Sequence, residues 1–269
     1  MTTTQNTKPG NGTKARPEPN QKLIAVASGK GGVGKTWFSS TLAHALARSG
    51  KRVLLFDGDL GLANVDIQLG LMAKRDLNDV ITGRLPLSRV IHRFEEGGFD
   101  VIVGRSGQAS LSSLPLQRLN EVLKQLRAQS TNYDAIIMDL GAGVDKTVRF
   151  LSSAAGTTLL VTNDEPTSMT DAYAFIKLAN AIGHADTIKM VINVVESKPS
   201  GERTYNTLLR ACKNFLKISP PLIGMVSKDN HVKDAIRSQT PYLTRYPATQ
   251  TAMDIEKIMA QVSALIRVS

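Results

Sequence analysis

The sequence is short of nearly everything that would place it outside a reducing compartment or in a bilayer. It has one cysteine, Cys212, among 269 residues, so no intramolecular disulfide can form, and no Cys/His group carries zinc-site spacing. No run approaches the ~18 consecutive apolar residues of a membrane-spanning helix. The first 20 residues, rich in Thr, Asn, Pro and Gly, lack the apolar core of a signal peptide and read as a disordered leader. Aromatic residues make up 5% of the chain, with a single tryptophan, Trp37. Acidic residues are also scarce: 23 Asp and Glu face 33 Lys and Arg, for a net charge of +10 and a pI near 9.8. What is present is an apolar content of 42%, ample for a buried core, which excludes wholesale disorder. At about 150 residues per domain the length allows one or two. One domain over residues 21–269, after the leader of residues 1–20, is the economical reading.

The positive charge is uneven. Between Lys198 and Arg245 stand nine Lys and Arg against Glu202, Asp229 and Asp234, a surplus of six. The leader adds Lys8, Lys14, Arg16 and Lys22 against Glu18. Such a patch raises the local concentration of DNA, anionic lipid or an acidic partner, although spread basic residues are commonly a solvated face. Nothing in the segment marks a base-stacking platform.

Short apolar runs at residues 23–27, 53–56, 101–103, 135–138, 158–161 and 190–194 read as buried strands. Helical spacing at 36–48, 116–127, 147–154, 170–182, 204–216 and 252–267 alternates with them. This order implies an α/β fold: a mainly parallel twisted sheet flanked by helices on both faces.

The stretch Gly29-Lys30-Gly31-Gly32-Val33-Gly34-Lys35-Thr36 lies between the first strand and the first helix, the context a phosphate loop requires. Its glycines leave no Cβ to block an anion, and backbone N–H groups converge at a helix N-terminus. Lys35 is expected to reach the β- and γ-phosphates and Thr36 to ligate Mg²⁺. Two carboxylate-bearing stretches, from Asp57 to Asp66 and from Asp139 to Gly143, follow strands and should border the same ligand, which binds at the carboxyl ends of a parallel sheet.

The second lysine of the loop, Lys30, makes the chain similar to the MinD/ParA superfamily of deviant Walker-A ATPases, whose loop reads K-G-G-x-G-K-[ST]. The resemblance implies a single-domain P-loop ATPase with ATP and Mg²⁺ as cofactors and an ATP-dependent homodimer, in which Lys30 reaches the partner's phosphates. It further implies that Asp59 orients the attacking water, that Asp139 holds Mg²⁺ through water, and that Asn193 reads the adenine edge. The cofactor-binding set becomes Gly31, Gly32, Val33, Gly34, Lys35, Thr36, Trp37 and Asn193. Lys30, Lys35 and Asp59 form the catalytic set, and Thr36 and Asp139 the metal set.

Within the superfamily, D-G-D-L-G-L-A-N-V-D from Asp57, D-L-G-A-G from Asp139 and E-P-T-S-M-T-D-A-Y from Glu165 resemble the FlhG/FleN flagellar number regulators. This implies slow ATP hydrolysis, control of flagellar number or placement, and a flagellar GTPase, switch-complex or transcriptional regulator as partner. The implied location is cytoplasmic, extending to the inner face of the membrane or the cell pole. The alternative is spatial positioning or segregation through DNA or membrane. Peripheral membrane contact is assigned to residues 252–269, with core packing weighed above it and nucleic acid ranked below protein partners. Three departures stand out. The leader lacks a D-Q-A-x-x-L-R activator helix. Trp37 replaces a small polar residue and is expected to pack beneath the loop. Ser227 replaces the proline of G-x-[IV]-P-x-D, which should loosen the adenine wall.

Overall fold

The computed structural model describes residues 19–59, 64–104 and 114–267. Residues 1–18 of the leader, residues 60–63 of the stretch after Asp57, residues 105–113 and the last two residues lie outside these.

The elements run β1 (Asn20–Ser28), α1 (Lys35–Arg48), β2 (Val53–Gly58), α2 (Val65–Leu69), α3 (Leu77–Ile81), β3 (His92–Phe94), β4 (Phe99–Ile102), α4 (Leu116–Ala128), β5 (Ala135–Ala142) and α5 (Lys146–Ser153). They continue with β6 (Ala155–Thr162), α6 (Pro166–Ala181), β7 (Ile188–Val195), α7 (Lys198–Ala211), β8 (Leu222–Ser227), α8 (His231–Arg237), α9 (Tyr242–Arg245) and α10 (Gln250–Arg267). The sheet has the order β3-β4-β2-β5-β1-β6-β7-β8, parallel except for the antiparallel edge pair β3/β4.

Side-chain alternation along the strands builds two cores. In β1, Leu23, Ala25 and Ala27 face one layer while Ile24 and Val26 face the other. The first layer takes α3 to α7; the second takes α1, α2 and α8 to α10. Burial on both faces is why the central strands read as continuous apolar runs.

Several elements differ from expectation for identifiable reasons. α6 begins at Pro166 rather than Thr170, because proline at the first helical turn needs no N–H partner. α7 begins at Lys198, capped by the Ser197 side chain, and the last turn expected of it (Cys212–Leu216) winds as a π-helix. Helix α10 packs as a core helix, the reading weighed above a membrane contact. Its stripe of Ala252, Ile255, Ile258 and Val262 is fully buried, and a Cβ at Gly224 of β8 would lie 2.3 Å from Ile258 Cγ1. The apolar face that a bilayer would need is committed to the core. No helix among the described residues is long and apolar enough to cross a membrane.

Candidate functional site

The loop Gly29–Thr36 leaves the carboxyl end of β1, the strand from which the chain builds outward to both sides of the sheet. Gly34 has φ +84°, and a Cβ there would lie 2.5 Å from Asn193 Nδ2. Asn193, at the end of β7, donates that amide group to the Val33 carbonyl at 2.8 Å. The asparagine therefore braces the phosphate loop from behind, a role its position alone did not reveal. It also lines the cleft in front of the loop.

Val194 follows in the left-handed region at φ +58°. A β-branched residue held there costs about 1–3 kcal/mol. The β7/β8 register shifts between Ile192 and Val195, and this irregularity leaves Val194 38% exposed in the cleft wall. No residue pattern announces this feature.

The cleft encloses about 530 Å³, within the ~300–1,000 Å³ typical of ligand sites. Gly31, Gly32, Gly34, Lys35 and Thr36 form one end, Asp59 and Asn64 flank it, and Ser227 to Asn230 line the far wall. Val33 is buried behind the loop. The Trp37 ring packs edge-on against Tyr242, with centroids 5.3 Å apart, as expected for a residue beneath the loop.

Sheet register explains the acidic centre. Asp57 of β2 lies directly opposite Asp139 of β5, and both are fully buried. Asp139 Oδ1 accepts from Lys35 Nζ at 2.9 Å and from Ser39 Oγ at 2.8 Å. Asp57 accepts from the backbone N–H groups of Asp59 and Val65. Burial and the neighbouring Asp139 push the Asp57 acid up to about 8. The charge of Lys35, which bonds Asp139, opposes this rise. Asp57 belongs to the stretch flagged in the sequence, but its pairing with Asp139 follows only from the register.

Lys30 is different. It is not part of the cleft wall. Its ammonium donates to Glu165 Oε2 at 2.7 Å and Thr167 Oγ1 at 2.8 Å, both at the start of α6 and near the surface. The hydrogen bond and charge of Lys30 hold the Glu165 carboxyl below the ordinary glutamate range. Two lysines five residues apart in one loop therefore face different places.

The far wall shows what holds Ser227, the residue that stands where a proline was expected. Ser227 donates its N–H and Oγ–H to Asp254 Oδ2 at 3.0 and 2.7 Å, and its carbonyl accepts from Thr251 Oγ1 at 2.8 Å. Two side chains of α10 hold the segment that a proline would have stiffened. Distance in sequence hid them.

The residues fit a magnesium nucleotide. Asp139 Oδ2 is buried with no hydrogen-bond partner among the described residues, while its other oxygen accepts from Lys35 of the loop, and the left-handed Gly32 keeps the loop open to phosphate. Thr36 and Asp139 are the residues that would hold the ion.

A cradle of this kind on a mainly parallel sheet defines a phosphate-loop nucleotide-binding protein. Residues 24–242 match the CobQ/CobB/MinD/ParA nucleotide binding domain, and the chain belongs to that family. It is 36% identical over 243 residues to the antiactivator FleN of Pseudomonas aeruginosa, covering 90% of this chain and 86% of that protein. It is 30% identical to the flagellum site-determining protein YlxH of Helicobacter pylori, covering 82% of this chain and 74% of that one. Among solved structures, MinD of Pyrococcus horikoshii complexed with Mg-ADP superposes with a TM-score of 0.77 at 25% identity, covering 92% and 98% of the two chains.

Proposed function

We propose that this protein is an ATP-dependent dimerisation switch that hydrolyses ATP slowly and thereby regulates the number or placement of flagella. Its similarity to FleN and YlxH supports the flagellar setting. The observation that carries the switch is Lys30: a loop lysine that faces away from its own cleft and rests on Glu165 and Thr167. A cation so placed can serve a second cleft, in another copy of the chain, once it leaves Glu165.

In this reading the N–H groups of Gly31 to Thr36 and the Lys35 ammonium bind the phosphates. Lys35 exchanges its bond to Asp139 for phosphate oxygen, leaving Asp139 to accept from Ser39. Thr36 and Asp139 would hold a Mg²⁺ ion, which would neutralise phosphate charge when bound. Asp59, whose carboxylate faces the Gly141 turn, orients the attacking water. Lys30 of the second copy stabilises charge on the transferring phosphoryl group, as an arginine finger does. Hydrolysis is slow because neither cleft is complete in one chain.

Size-exclusion chromatography tests the switch. ATP should convert monomer to dimer, Lys35→Ala should abolish the conversion, and Asp59→Ala should hold the dimer while stopping turnover. An Asp59→Ala protein that hydrolyses ATP at the wild-type rate contradicts the assignment of the water.

A further inference from the structure

The end of α7 presents an aromatic side chain that its own sequence pattern would bury. Thr204, Leu208 and Cys212 form the buried stripe of this helix. At about 100° per residue an α-helical continuation would set Phe215 near that stripe. The wider winding of the π-turn Cys212–Leu216 instead brings Leu216 against the core and swings Phe215 out, where it is 76% exposed. The turn closes on Lys217, a non-glycine residue at φ +58°. Two unfavourable backbone features therefore hold one phenylalanine in solvent.

Basic residues neighbour it in sequence at the same helix end. Arg210, Lys213 and Lys217 are exposed, and none forms an ion pair among the described residues; Lys217 donates only to the Asn214 carbonyl. The helix dipole accounts for basic residues in a last turn. It does not account for the phenylalanine between them. Just beyond Lys217 runs a groove of about 330 Å³, lined in part by Ala185, Ile218, Pro220 and Pro221. Asp186 is its one acidic residue, and the Asp186 carbonyl accepts from Lys189 Nζ at 3.1 Å. This region lies where β7 and β8 begin, at the opposite end of the sheet from the nucleotide cleft.

We propose that this groove, together with the adjoining end of α7 that carries Phe215, Arg210, Lys213 and Lys217, docks an acidic segment of another protein that carries an apolar anchor residue. Charge complementarity selects the acidic chain. The concavity selects a peptide over a bilayer, which has no side chain to insert. A single exposed aromatic selects against single-stranded nucleic acid, which needs a row of stacking platforms. The site is separate from the cleft, so docking should not require Lys35.

Fluorescence polarisation with the full chain tests this, using a short labelled peptide of Asp and Glu with a central Leu-Phe pair. Anionic vesicles of phosphatidylglycerol and a labelled oligo-dT serve as competing probes. The peptide should bind, weakening at least ~10-fold between low and physiological salt because the contacts are surface charges. Phe215→Ser should cut the affinity about 10-fold, the scale of one interface anchor, and the pair Arg210→Glu/Lys213→Glu should remove binding. Both variants should keep the wild-type Tm and ATP affinity, and Lys35→Ala should bind the peptide normally. Failure of the peptide to bind, equal binding by Phe215→Ser, or Phe215-dependent capture of vesicles or oligo-dT alone would overturn the proposal.

Discussion

His44 and Asp57 are buried ionisable residues that the fold shifts in opposite directions, and together they shape the pH range of the protein. His44 is 5% exposed in α1, and burial, aided by Arg48, lowers its pKa to about 4. Between that value and the ordinary 6.5 the unfolded chain binds the proton that the folded chain refuses. Its contribution to stability is therefore full above 6.5 and lost as pH falls toward 4, by roughly 3 kcal/mol. Asp57 acts with the opposite sign. Its folded pKa is raised, so its contribution is full in acid and is lost as pH rises toward 8. Urea titrations across pH should show His44→Gln flattening the acid side of the stability profile and Asp57→Asn flattening the neutral to alkaline side. Val194 gives a second prediction at this scale. Val194→Gly should keep or raise Tm by relieving the left-handed backbone, while weakening ATP affinity several-fold through loss of the apolar wall; thermal melts and nucleotide titration read the two effects separately. The phosphate-loop residues were legible because glycine and lysine spacing between a strand and a helix is a local pattern. Val194 and the partner of Asn193 were not, since a backbone strain and a bond across the sheet leave no local pattern.

Among the elements, α10 is the one for which the sequence left two roles open. The 3.6-residue stripe that made it a candidate anchor is the same pattern a core helix shows, and only packing on β8 distinguishes them. Its polar face then supplies Asp254 and Thr251 to the cleft wall. Asp254→Asn should leave α10 packed, with Tm within a few degrees of wild type, yet raise the Kd for ATP several-fold by loosening Ser227; equilibrium binding with a fluorescent ATP analogue checks this. An unchanged Kd would show that Ser227 needs no brace. The central parallel strands were legible because burial on both faces forces unbroken apolar runs. Strand β8 was missed because it lies at the edge of the sheet, where L-I-G-M-V-S is only partly buried. Helices α2, α3 and α9, of four or five residues, are too short to display a period.

At the scale of the whole molecule, the basic surplus separates into parts with different work. Lys228 and Lys233 border the nucleotide cleft, whereas Arg210, Lys213 and Lys217 lie at the end of α7, near Phe215 in sequence. Lys30 belongs to neither group. Its pairing with Glu165 is an exposed ion pair, the kind that contributes little to stability and can be exchanged at small cost. The central claim is that Lys30 completes the cleft of another copy while Asp59 serves its own. Mixing two inactive variants tests it most directly. In a 1:1 mixture of Lys30→Ala and Asp59→Ala proteins, random pairing makes about half of the dimers mixed, each with one complete cleft. Single-turnover measurements should then show ATP hydrolysis rising from near zero in each variant alone to about a quarter of the wild-type rate. A mixture no faster than the mean of its two parents would mean that Lys30 acts within its own chain, and would contradict the account.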